Sequence, residues 1–66
     1  MRNYEELRLQ ATIEGVKFMQ KMEFDKYTIL KNLDNVIEKL RVDVSNDFFR
    51  CLLDIRQKVL LGKKIE

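Results

Sequence analysis

The sequence predicts an all-α fold: a small bundle of two to three antiparallel amphipathic helices, over about 3–22, 25–42 and 46–61, completed by homodimerisation. Three observations carry this reading. Apolar residues recur at steps of three and four through most of the 66 residues, and polar residues able to cap a helix stand before each run. The first and third runs also carry apolar residues on two sides of the helix. A domain of about 60 residues buries only roughly 60% of the surface its unfolded chain exposes, so two such helices present more apolar surface than one short chain can cover.

The first helix starts in this reading at Asn3, whose side chain can cap open backbone amides while Glu6, three residues on, completes a capping-box-like pair. It ends near Met22. Tyr4, Leu7, Ala11, Phe18 and Met22 form one stripe along it, and Leu9, Ile13 and Val16 lie nearly opposite. A competing pattern runs through the same segment. Leu7, Leu9, Ala11 and Ile13 alternate with polar residues, as do Val16, Phe18, Met22 and Phe24, so a turn at Glu14 and Gly15 would give a β-hairpin over 8–13 and 16–22, followed by two helices. Hairpin turns favour Asn-Gly or Asp-Gly, and the segment is rich in Glu, Leu, Arg, Gln, Ala, Met and Lys, which favours the helix.

Asp25 can cap the middle helix. Ile29, Leu30, Leu33, Val36, Ile37, Leu40 and Val44 occupy one sector, with Lys31, Asp34, Asn35, Glu38 and Asp43 on the other side. This is the one helix with a single apolar face. Ser45 or Asn46 caps the last helix, and Asp47 lies in its first turn, where negative charge is favourable. There Phe48, Leu52, Ile55 and Val59 make one stripe, and Phe49, Leu53 and Leu60 a second, displaced by roughly a quarter turn. Gly62 fits a C-terminal cap, and Lys63 and Lys64 complement the negative helix end.

Small domains usually gain stability from disulfides, a metal or a second subunit. Cys51 is the only cysteine and histidine is absent, which excludes an intrachain disulfide and argues against structural zinc, leaving oligomerisation or unusually good helix packing. With no proline and only Gly15 and Gly62 as glycines, residues 1–66 read as one small helical domain. The opening residues Met1 to Glu6 lack the apolar core of a secretory signal, and no run approaches the ~18 apolar residues of a membrane span. The expected location is the cytoplasm.

No enzyme is expected, because the usual proton shuttle, histidine, is missing. Glu5 and Glu6, or Asp43 and Asp47, could pair as carboxylates, but at helix starts such residues serve as caps and solvated charges. Cys51, at the edge of the stripe from Phe48 to Val59, reads as a semi-buried thiol. No glycine-rich phosphate loop or acidic calcium loop is present, and no catalytic, cofactor or metal residue is assigned.

The functional expectation is a small regulatory or adaptor protein, derived from a phage or mobile element, that acts by protein–protein interaction through helical surfaces. Leu9, Ile13, Val16, Phe49, Leu53 and Leu60 are its expected dimer interface. Tyr4, Phe18 and Phe49 are the large anchors, with Phe18 better read as core. The alternative is a nucleic-acid-associated regulator, with phosphate contacts from Arg50, Arg56, Lys58, Lys63 and Lys64, a surface that Asp47 and Asp54 interrupt. A net charge of +2, from 13 basic and 11 acidic residues, is far from the basic excess of a dedicated nucleic-acid binder. Leu33, Asp34, Asn35, Val36, Ile37, Glu38 and Lys39, followed by Ser45, resemble a stretch of the Hha/YmoA family of small helical nucleoid modulators. The likeness covers under half of the chain, and the first and last helices depart from the family pattern. It implies a nucleoid-structuring protein as partner and carries over no site residue.

Overall fold

The computed structural model describes residues 3–40 and 44–65, which form three helices packed together with no strand among them: α1 (Asn3–Lys21), α2 (Lys26–Leu40) and α3 (Asn46–Leu60). The hairpin alternative is not what the chain adopts. All of its would-be strands except residue 22 lie within α1, which runs unbroken through Glu14 and Gly15. Local pairs suit that helix: the Gln10 amide donates to Glu14 at 3.1 Å, and Lys17 lies 3.9 Å from the same carboxylate. Asn3 is itself the first helical residue of α1. The expected end of the middle helix at 42 lies outside the described residues, and Val44, expected on its apolar face, stands half-buried beyond it.

Four of the helix ends have an identifiable stop or start. At the end of α1 the Glu23 amide donates to the Gln20 carbonyl at 3.1 Å, and the Phe24 amide to the Met19 carbonyl at 3.0 Å. At the end of α3 the Gly62 amide donates to Val59 at 2.9 Å and the Lys63 amide to Lys58 at 2.9 Å. Both are the Schellman arrangement, which needs a left-handed residue at the turn. Gly62 meets that need without strain at φ 78, whereas Glu23 adopts φ 62 with a side chain in place.

The starts of α2 and α3 are capped as the sequence suggests. Asp25 Oδ1 accepts from the amides of Tyr27 at 2.8 Å and Thr28 at 3.0 Å, while the Thr28 hydroxyl donates to Asp25 Oδ2 at 3.1 Å. Ser45 has extended backbone and its hydroxyl accepts from the Phe48 amide at 3.3 Å. That hydroxyl also donates to Glu5 Oε1 at 2.9 Å, and the Ser45 amide donates to Glu5 Oε2 at 2.7 Å. The first turn of α1 is thereby tied to the first turn of α3.

The core is built mainly by α2 and α3. Ile29, Leu30 and Leu33 meet Ile55 and Val59, and Phe48 and Leu52 are also buried. α1 contributes one fully buried apolar residue, Val16, with Leu9, Ile13 and Met19 packed alongside. Its orientation reverses one sequence expectation. Phe18, read as core, is 59% exposed, and Tyr4, Leu7, Ala11 and Met22 share that outer face. Two apolar stripes compete for the interior of α1, and the one carrying Glu5, Leu9 and Val16 wins.

Two tests follow from the helix ends. Relief of the left-handed strain predicts that Glu23→Gly raises stability in urea unfolding by about 1 kcal/mol, whereas Gly62→Ala lowers it by a similar amount. At Asp25, the backbone amide of Thr28, then its hydroxyl, hold the carboxyl below the usual aspartate range, with the Tyr27 amide adding to this and desolvation opposing it. A depressed folded-state value means the stabilisation is present above the unfolded value and is lost as pH falls through the folded one. Asp25→Asn should therefore flatten the acid side of the stability profile below about pH 4 while leaving a neutral acceptor at the cap. An unchanged slope in urea midpoint against pH would contradict this.

Candidate functional site

On α3, Arg50, Asp54 and Lys58 follow each other at steps of four and so line one edge, with Cys51 and Ile55 beside them. This edge meets α1 at Leu9 and Ile13, and the segment after Gly62 closes the third side with Lys63, Lys64 and Ile65. The three elements enclose an open groove of about 540 Å³. Its floor is apolar: Leu9 and Ile13 are half-buried, Ile55 is buried, and Ile65 packs against the core. Four cations and the Asp54 carboxylate stand around that floor.

One side chain hydrogen-bonds the C-terminal wall twice. The Gln20 amide donates to the Lys63 carbonyl at 3.0 Å, and its Oε1 accepts from the Ile65 amide at 2.9 Å. Gln20 thus presents a donor and an acceptor to the backbone as a neighbouring strand would, and this sets where Lys63 and Lys64 stand. Along the α3 edge Lys58 Nζ lies 3.3 Å from Asp54 Oδ2, an exposed pair of little energetic weight.

Of the five residues expected to contact phosphate, Arg50, Lys58, Lys63 and Lys64 come together here. Arg56 does not. Its Nε donates to Asp34 Oδ1 at 2.7 Å across the α2–α3 seam, and that hydrogen bond, followed by the aspartate's charge, raises the guanidinium pKa. The six residues expected at a dimer interface separate. Leu9 and Ile13 join the groove floor, and Val16, 1% exposed, belongs to the chain's own core and is closed to a second subunit. Phe49 is half-buried, while Leu53 and Leu60 remain exposed on α3.

A second, shallower groove of about 260 Å³ lies between α1 and α2, lined by Asn32, Leu33 and Val36, with Ala11 and Gly15 exposed at its rim. The small side chains open it, and a Cβ added at Gly15 would meet nothing within 4 Å.

Sequence reasoning missed Glu5, Gln20 and Ile65 as structural partners. Glu5 carried a signal, since it lies four residues before Leu9 and eleven before Val16 and so shares the inward face. Ile65 follows the last helix, where periodicity gives no information. Cys51 is half-buried at the groove, forming no disulfide. Among the described residues no group of three or more His, Cys, Asp or Glu is placed to hold a metal, and no helix is long and apolar enough to cross a membrane.

Comparison with protein-family models, curated proteins and solved structures finds no match to this chain.

Proposed function

We propose that the protein is a cytoplasmic, non-enzymatic interaction module, a small regulator or adaptor that works as a homodimer paired through the outer face of α1. The observation that carries this reading is the balance of apolar side chains. Among the described residues nine large ones are exposed against eight buried.

The outer face of α1 is the longest of these exposed regions. Leu7 is 73% exposed, and Tyr4, Phe18 and Met22 are also exposed. Tyr4 and Gly15, Leu7 and Phe18, and Ala11 and Met22 are each eleven residues apart, a repeat that keeps a stripe straight along a nearly undistorted helix. The stripe runs for about 28 Å. Its pattern suits a second copy: antiparallel pairing about Ala11 sets Leu7 of each copy over Gly15 of the other and Tyr4 over Phe18. Large faces small and aromatic faces aromatic across a two-fold axis, as an isologous interface requires. Such pairing replaces the interface expected from Leu9, Ile13, Val16, Phe49, Leu53 and Leu60, of which the three α1 residues pack against the chain's own core.

Sedimentation equilibrium tests this directly. The chain should sediment at twice its 8.0 kDa mass at about 50 µM, and Leu7→Glu with Phe18→Glu should halve it, because each copy would bury unpaired carboxylates. Both positions are exposed, so circular dichroism should show an unchanged helical subunit. Leu53→Glu should leave the dimer intact. A monomeric parent chain, or dissociation by Leu53→Glu alone, would refute this interface.

A further inference from the structure

We propose that the groove between α1, α3 and the C-terminal segment receives an acidic amphipathic helix of another protein. This rests on reading the chain as an interaction module, but not on the dimer, since the groove lies on the face of α1 opposite Leu7 and Phe18. Arg50, Lys58, Lys63 and Lys64 ring a floor made by Leu9 and Ile13 with their neighbours, so the complementary ligand has apolar knobs flanked by carboxylates. Arg50 and Lys58 stand eight residues apart on α3, about 12 Å along its axis, which matches two turns of a bound helix. Such a segment would insert apolar residues at i, i+4 and i+7 and place Glu or Asp against the rim cations. Asp54 gives up Lys58 to the incoming carboxylate at small cost, because their present pair is exposed.

Nucleic acid is the other ligand that four cations attract, and three features of the groove disfavour it. No aromatic side chain lines it for base stacking, Asp54 stands among the cations, and a phosphate backbone would leave the apolar floor uncovered.

The probe is a fluorescein-labelled synthetic helix with Leu at i, i+4 and i+7 and Glu on both flanks, followed by anisotropy at about 50 mM salt. It should bind about tenfold more tightly than the same helix with Gln on its flanks, and Leu→Ser at the three anchors should abolish binding. Lys63→Glu with Lys64→Glu, two exposed positions, should weaken the Glu-flanked helix about tenfold or more. The dimer-breaking pair Leu7→Glu and Phe18→Glu should bind it as the parent does, which separates failure of this site from failure of the dimer. Equal binding of the Leu and Ser helices overturns the proposal. So does tighter, steeply salt-dependent binding of a single-stranded oligonucleotide of equal charge.

Discussion

The buried carboxylate of Glu5 at the start of α3 governs how α1 docks on the core that α2 and α3 build. A carboxylate withdrawn from water costs several kcal/mol unless it is met by donors, and here Ser45 supplies both its amide and its hydroxyl. The site is also the positive end of α3, whose unpaired amides favour an anion. Hydrogen bonds to a charged group contribute about 1.5–3 kcal/mol each, comparable with burying a residue such as Val16. α1 has only that one fully buried apolar residue, so its polar attachment to Ser45 decides its rotation. At its other end Gln20 performs a similar task on the C-terminal segment.

Rotation is the consequential variable because α1 has two apolar stripes. With Glu5 turned inward, Leu9, Ile13 and Val16 follow it, and Tyr4, Leu7, Phe18 and Met22 are left facing water. That rotation leaves both surfaces on which the functional reading depends: the straight outer stripe, proposed to meet a second copy, and the groove floor beside Lys63 and Lys64. The opposite rotation would cover the stripe, dismantle the floor and leave Ser45 without its partner.

The readability of the sequence follows the same division. α2 and α3 were legible to within a residue or two at their described ends, because Asp25 and Ser45 are good caps, Gly62 suits a left-handed stop, and each helix has a dominant apolar stripe. The stripe from Phe48 to Val59 is buried throughout. α1 was legible as a helix but not in its rotation, since two stripes of similar size cannot be ranked without knowing which polar residue finds a buried partner. Glu5 and Ser45 are forty residues apart, and nothing local announces their pairing. The basic edge of Arg50 and Lys58 could be read from spacing, whereas Arg56 was lost to Asp34, and Ile65 entered the groove through a segment without periodicity.

The most direct test of this account is a double-mutant cycle between Glu5→Ala and Ser45→Ala, read by urea unfolding. If the carboxylate and the cap hydroxyl act as one unit, the coupling energy should be about 1.5 kcal/mol or more, and each single variant should lose most of what the pair loses. A coupling near zero, with additive losses, would mean that the rotation of α1 is set elsewhere.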